Sequence, residues 1–127
     1  MTKIASEKQT APSLRIRIHF GEDAMLGPGK AELLERISET GSIAAAGRAM
    51  SMSYKRAGNL VEQMNNVFRD PLVTSSRGGS RGGGAELTTA GQAVLAHYRK
   101  LEEIMAEAGA ARIGVLQAML RDMSEGK

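Results

Sequence analysis

Apolar and polar residues alternate without a break from Leu14 to Phe20, and helical spacings then dominate most of the chain. A period of two over seven residues predicts a β-strand with one apolar face. Over residues 30–40 the apolar side chains recur at helical intervals, which predicts a first helix that ends at Gly41. Residues 1–13, which come before the predicted strand, are polar, and this predicts a flexible N-terminal tail.

Two further helices are predicted close together, with a short polar turn between them. Ser42 is placed to cap a helix of small residues that ends near Met50, and Ser53 to cap a helix that runs to about Val67. Alanines at 45, 46 and 49 make the first of these helices thin, so that the two helices can cross closely. This layout is typical of a helix-turn-helix, which presents the start of its second helix to a DNA groove.

A β-hairpin is predicted after the third helix. Short strands at residues 72–75 and 85–87 flank a glycine-rich loop, which together predict a wing. The early strand at 14–20 is a candidate third member of the same small sheet. The fold class is therefore mainly α with a small β-sheet, a winged helix-turn-helix over residues 14–87.

A long C-terminal helix is predicted to begin at Thr88 or Thr89, with Thr88 as its cap. Residues 88–123 form a candidate dimerisation segment. Its apolar residues step by four and three, the spacing of a helix–helix seam. The predicted seam residues are Val94, Tyr98, Leu101, Met105 and Ala108. Gly109 and Gly114 weaken the middle of this segment, which predicts either one kinked helix or a break near Gly109.

Charge points to a polyanion as the partner. The net charge is +3, and the window from Ser51 to Gly82 alone holds five basic and two acidic residues. All of the excess positive charge thus falls in the third helix and the glycine loop, as expected of a surface that faces nucleic acid.

Other function classes find little support in the composition. The lack of cysteine excludes disulfides, thiol catalysis and cysteine-held zinc. His19 and His97 are far apart in sequence, so we expect no enzyme, no metal site and no cofactor. The glycine loop lacks the lysine that a nucleotide-binding loop requires. Without an apolar run of about 18 residues or a signal peptide, a cytoplasmic protein with no membrane contact is expected.

The third helix begins with side chains suited to duplex DNA. Arg56 can donate a fork of hydrogen bonds to guanine, and Asn59 can pair with adenine in the same bidentate way. Tyr54 and Lys55 can serve bases or phosphates, and the helix start at Ser53 favours a phosphate. The alternative is that these residues form only the solvated face of a core helix. The full predicted DNA-binding set is Ser42, Ser53, Tyr54, Lys55, Arg56, Asn59, Arg77 and Arg81.

Several stretches resemble the DNA-binding domain of ModE-type molybdate-responsive regulators, a winged helix similar to that of LysR-type regulators. They are Leu26–Lys30, Gly41–Ala46, Met52–Ala57, Glu62–Asn65 and the glycine wing through Thr88. The resemblance covers about residues 14–107. It implies a dimer formed partly through the last helix, a two-fold operator, recognition by the helix that begins at Ser53, and phosphate contacts from the wing.

Two departures from this family pattern matter. Family members often carry a tryptophan where this chain has Gly58. Full-length members bind the oxyanion in a separate C-terminal module, which the residues after Met123 are too few to supply. The chain therefore resembles the short stand-alone members, and we do not expect it to bind molybdate.

The sequence predicts a homodimeric winged helix-turn-helix protein that binds double-stranded DNA and regulates transcription. Two alternatives remain open. One is a protein-interaction module that forms heterodimers with another regulator. The other is an oxyanion-sensing regulator with a site at the glycine loop and its arginines.

Overall fold

Helices form most of the chain, and two small antiparallel sheets accompany them. The structure is a computed structural model that describes residues 11–76 and 84–121. Its elements in chain order are β1 (Ile18–His19), β2 (Met25–Leu26), α1 (Pro28–Thr40), α2 (Ile43–Ala49), α3 (Tyr54–Val67), β3 (Val73–Ser76), β4 (Gly84–Leu87) and α4 (Thr89–Ala118). The predicted fold class is confirmed. The chain divides into two units, one of residues 16–100 and one that combines the segment up to Arg15 with that from Leu101 onward.

The first helix begins earlier than predicted and ends where predicted. Pro28 occupies its first position, which suits proline because a residue there needs no N–H donor within the helix. Gly41 ends it with a φ of 71°, a left-handed conformation that favours glycine, and its N–H donates to the carbonyl of Ile37. Leu33, Leu34 and Ile37 are fully buried, as the helical spacing predicts.

Serine caps define the helix-turn-helix. The hydroxyl of Ser42 accepts a hydrogen bond from the Ala45 N–H at 3.0 Å, and that of Ser53 accepts one from the Arg56 N–H at 3.1 Å. Both predicted caps are confirmed. Between the helices the chain passes through Ser51 at a φ of 60°, so a non-glycine residue accepts a left-handed conformation to make the turn.

The close crossing of α2 and α3 depends on a glycine. A Cβ atom added at Gly47 would lie 3.1 Å from the Cβ of Ala57, which is tighter than an ordinary contact, so even alanine here would require a shift of a few tenths of an ångström. Of the alanines expected to make α2 thin, Ala46 is buried, whereas Ala49 is exposed. The expectation for Ala49 was therefore wrong, and Gly47 occupies the contact instead.

The N-terminal strand is shorter than the alternation predicted, and it does not join the wing. β1 pairs with β2, with Ile18 opposite Leu26, and these strands form a sheet of their own, the N-terminal hairpin. The chain reverses within the region predicted as a connector, where the Phe20 N–H donates to the Ala24 carbonyl at 2.7 Å. β1 therefore pairs with β2, which is close to it in sequence, and not with a strand of the distant wing.

Among the described residues, the core consists of two clusters. The larger one joins α1, α2 and α3 to the wing strands, and the smaller one contains Leu26, Ala31 and Tyr98. Tyr98 is 1% exposed, and its hydroxyl donates a hydrogen bond of 2.6 Å to the Ile16 carbonyl. The start of α4 is thereby tied to the chain that enters the N-terminal hairpin.

The backbone at Leu72 is fixed from two sides. The Asn65 side-chain oxygen accepts from the N–H groups of Leu72 and Val73 at 2.8 and 3.1 Å, and its amide donates to the Val73 carbonyl. On the other side, the Thr88 N–H donates to the Leu72 carbonyl at 2.9 Å. The Thr88 hydroxyl also accepts from the Gly91 N–H at 3.0 Å, which confirms Thr88 as the cap of α4.

The last helix continues through both of its glycines. α4 extends without interruption from Thr89 to Ala118, so the predicted break near Gly109 is absent. Each glycine costs about 1 kcal/mol relative to alanine, and the alanines and long side chains around Gly109 and Gly114 have high helix propensity.

We expect Gly91→Ala to destabilise the protein. A Cβ atom at this position would lie 2.2 Å from the Leu72 carbonyl oxygen, so the start of α4 must move away from the wing strand. Overpacking of this kind costs roughly 1–3 kcal/mol. Urea denaturation of the variant should show that loss in the free energy of unfolding, and unchanged stability would contradict the close packing at Gly91.

Gly58→Ala is expected to have the opposite effect. Apart from its chain neighbours and the backbone of α3 itself, no atom of the described residues lies within 4 Å of a Cβ placed at Gly58, so a methyl group enters open space. The gain in helix propensity should raise the free energy of unfolding by about 1 kcal/mol. The same urea titration measures it, and Gly91→Ala serves as the matched glycine substitution at a crowded position.

Candidate nucleic-acid interface

The first turn of α3 projects its polar side chains away from the core. Tyr54 is 64% exposed, and Lys55 and Arg56 are exposed beside it. Asn59 follows one turn later and is exposed as well, whereas Ala57 and Val61 on the opposite side are buried. The structure therefore brings together the predicted residues at 53–56 and 59 on the outer surface of one helix.

The cationic groups of this turn have no acidic partner within the described ranges 11–76 and 84–121. Other arginines are paired there, because Arg36 contacts Glu32 and Glu39, and Arg99 contacts Glu35. No ion pair involves Lys55 or Arg56 in that part of the chain. Their charges are thus available to an external anion.

The two capping serines hold the helix starts and retain a donor. Each hydroxyl oxygen accepts from a backbone N–H of its helix, so its hydrogen remains able to donate to a phosphate. Ser53 is exposed, and Ser42 is half-buried at the junction of α1 and α2. Ser42 therefore has the smaller accessible surface of the two.

The arginines predicted to contact DNA from the wing lie on the loop between β3 and β4, and the structure describes both of these strands. β3 and β4 pair with Ser76 opposite Gly84, so the loop leaves and re-enters the sheet at neighbouring positions. Arg77 and Arg81 themselves lie outside the described residues. Their contribution to the interface stays a prediction.

Two cationic residues beside the helix-turn-helix were not included in the predicted set. Arg17 and Lys30 line a cleft of about 200 Å³ together with Arg56. Arg17 occupies a polar position of the alternating segment and Lys30 follows a Gly-Pro-Gly run. These two sequence features do not reveal that Arg17 and Lys30 lie close together beside α3. The pairing of β1 with β2 brings them there.

The predicted dimerisation seam divides into a buried and an exposed part. Val94 and Tyr98 pack in the chain's own core, and Tyr98 at 1% exposure has no surface left for a partner. Its placement in an intersubunit seam is therefore corrected. Leu101 and Met105 are 37% and 44% exposed, and Ala108 is exposed too, so these three remain accessible to a second chain.

The two histidines are the remaining candidates for catalysis or metal binding. His19 and His97 are both exposed. Among the described residues, no three His, Cys, Asp or Glu side chains are grouped so as to hold a metal ion. In the same part of the chain, no helix combines the length and apolar character needed to cross a bilayer.

Known proteins similar to this chain are DNA-binding regulators and molybdenum proteins. Relatives include the molybdenum-pterin-binding protein MopB of Rhodobacter capsulatus, 46% identical over 79 residues, and the DNA-binding transcriptional dual regulator ModE of Escherichia coli K12, 36% identical over 81 residues. The alignments cover 62% and 64% of this chain but only 29% and 31% of those relatives. The chain thus spans about a third of their length.

Structural comparison supports the fold independently. The DNA-binding domain of CbnR in complex with DNA matches with a TM-score of 0.55, over 69% of this chain and 95% of that domain, at 22% sequence identity. A likeness at this identity concerns the fold. A sequence-family model also matches the chain, over residues 29–92, from the first turn of α1 to the first turn of α4. It describes the bacterial regulatory helix-turn-helix proteins of the lysR family. With its predicted resemblance to ModE-type regulators confirmed by these relatives, the chain belongs to the lysR family of bacterial regulatory helix-turn-helix proteins.

Proposed function

We propose that this chain is a transcriptional regulator that binds specific double-stranded DNA through the first turn of α3. The observation that carries the proposal is the exposed pair Lys55 and Arg56, which start a capped helix and have no acidic partner among the described residues. A helix of this kind fits the major groove with its N-terminal residues against base edges. Because a regulator of this kind binds the chromosome, the proposed location is the cytoplasm of a bacterial cell.

Arg56 and Asn59 are the residues we assign to base recognition. The Arg56 N–H is fixed by the Ser53 cap, so the guanidinium group starts from a defined backbone position. A guanidinium donates two parallel hydrogen bonds to guanine, and a carboxamide pairs with adenine. Both side chains are exposed and lie one turn apart, as successive base contacts from one helix require.

Lys55, Tyr54 and the two serines are assigned to the DNA backbone. Lys55 is an exposed point charge, and the exposed Tyr54 carries a hydroxyl donor, groups that commonly contact phosphates. The amides at the start of α3 add a favourable dipole for an anion. Arg77 and Arg81 on the wing are proposed to grip the backbone beyond the helix. No cofactor is required for any of these contacts.

A homodimer is proposed through the part of α4 from Leu101 onward. Several large apolar side chains there are exposed, including Leu101, Ile104 and Met105 at 37–49%. Burial of such residues against a second copy removes apolar surface from water. A two-fold dimer would place the recognition helices about 34–36 Å apart, or a multiple of that distance, and would match a palindromic operator. We assign residues 14–87 to DNA binding and 88–123 to dimerisation.

Arg56→Ala should relax base preference, whereas Lys55→Ala should weaken binding to all duplexes alike. A lost bidentate contact costs roughly 1–3 kcal/mol of discrimination between bases, and a lost phosphate contact lowers the salt dependence by about one unit of slope. Selection of duplexes from a random pool gives the operator. Titrations of operator and scrambled duplexes at several salt concentrations then measure both effects.

The two variants control each other, because each removes one positive charge from adjacent positions of the same turn. Equal and sequence-independent losses would contradict the base-reading role of Arg56. A wild-type chain that selects no motif and binds no duplex at low salt would contradict the proposed function. It would favour a chain that acts only as a partner of another regulator.

Met105→Lys should separate the dimer. The substitution places a charge on the exposed apolar side of α4, and burial of an unpaired charge is strongly unfavourable. We expect the dissociation constant to rise at least tenfold, measured by light scattering during size-exclusion chromatography. Glu107→Lys is the matched control, since it introduces a lysine two residues away and about 200° around the helix. Dissociation by both variants, or by neither, would contradict the assigned seam.

A further inference from the structure

Three cationic side chains from three separate stretches of the chain line the cleft beside α3. Arg17 precedes β1, Lys30 lies in the first turn of α1, and Arg56 in that of α3. The cleft measures about 200 Å³. That volume accommodates several waters, and hence a single phosphate group.

No negative charge balances these cations locally. Among the described residues that line the cleft, none is acidic. In the described ranges Arg17 makes no ion pair, like Arg56. The rest of the wall includes Met25, Met52 and Leu60, and an apolar wall strengthens the attraction between a cation and an anion at its rim. Arg17 and Lys30 therefore give the cleft a positive potential that favours an anion, and Arg56 at its border adds to that potential.

The position of Arg17 is set by its neighbours. Its Cγ lies 3.1 Å from the place where a Cβ of Gly27 would stand, so the side chain lies closely across this glycine. The adjacent residue, Ile16, accepts the hydrogen bond from the buried Tyr98 hydroxyl. Lys30 is directed toward the same hairpin, because its ammonium group donates to the Met25 carbonyl at 3.0 Å. Lys30 is thus held beside the cleft by a hydrogen bond, and the stem of Arg17 packs against Gly27.

We propose that this cleft binds one phosphate of the DNA backbone, so that the N-terminal hairpin enlarges the DNA interface beyond the helix-turn-helix. The inference rests on the proposed function, because Arg56 borders both the cleft and the base-reading turn. The match to the helix-turn-helix family begins at residue 29, so Arg17 comes from a segment that precedes it. Phosphate contacts fix the register of a protein on DNA without reading its sequence.

Arg17→Gln tests the proposal. Its side chain is exposed, so the substitution should leave the melting temperature unchanged. We expect affinity for operator and scrambled duplexes to fall by the same factor, about tenfold, because a hydrogen bond to a charged group is lost. The slope of log affinity against log salt should become shallower by about 0.9, the value for one phosphate. Arg17→Lys should recover most of the affinity, since lysine also binds phosphate.

Lys8→Gln is the control for net charge, because it removes one positive charge from residues 1–13, outside the segments assigned to DNA binding and dimerisation. Equal behaviour of Arg17→Gln and Lys8→Gln would overturn the cleft as a DNA contact. A loss confined to the operator duplex would overturn it too, because the contact would then read sequence.

Sodium phosphate added to the DNA-free protein distinguishes a free anion from a phosphate of the DNA backbone. A saturable rise in melting temperature that is lost in Arg17→Gln, with unchanged DNA affinity, would overturn the proposal. If wild-type protein binds no duplex at about 50 mM salt, where phosphate contacts are strong, the proposed function fails. If the wild type binds and Arg17→Gln binds equally well, only the cleft assignment fails.

Discussion

The backbone around Leu72 is the constraint on which the rest of the domain depends. Asn65 from α3 holds the amides of Leu72 and Val73, while Thr88 holds the Leu72 carbonyl from the start of α4. Gly91 lets the helix backbone approach that carbonyl more closely than any side chain would permit. One short stretch of chain therefore joins α3, the wing strands and α4. Because each of these groups satisfies a backbone hydrogen bond in a partly buried place, the arrangement is costly to disturb.

The same junction fixes the wing strands against α3. The wing strands pack their apolar residues, Val73, Ala85 and Leu87, into the same core as the inner side of α3. The Ala85 N–H also donates to the Gly41 carbonyl at the end of α1. The wing strands are thus fixed relative to α3 in the free protein, and rigid placement of this kind lowers the entropic cost of the proposed binding.

Local signals were sufficient for most of the fold and insufficient for its long-range pairings. Ser42, Ser53, Thr88 and Gly41 each act through hydrogen bonds within a few residues, so the sequence predicted their caps correctly. The partner of β1 was missed, because alternation shows that a strand exists and not what it pairs with. Tyr98 was assigned to a dimer seam since helical spacing cannot distinguish an internal core from an external one. The exposed turn at Tyr54–Arg56 was predictable, whereas the proximity of Arg17 to Arg56 arises only in three dimensions.

The division of α3 into two faces has an evolutionary consequence. Ala57, Val61 and Met64 on its inner side make the contacts that hold the domain together, whereas Lys55, Arg56 and Asn59 on its outer side are exposed. Exchange of outer residues therefore leaves folding nearly untouched, since surface substitutions away from such contacts usually change stability little. Proteins descended from one ancestor with this fold can therefore change the outer residues of α3, and with them the sequence that they bind, without first gaining stability elsewhere.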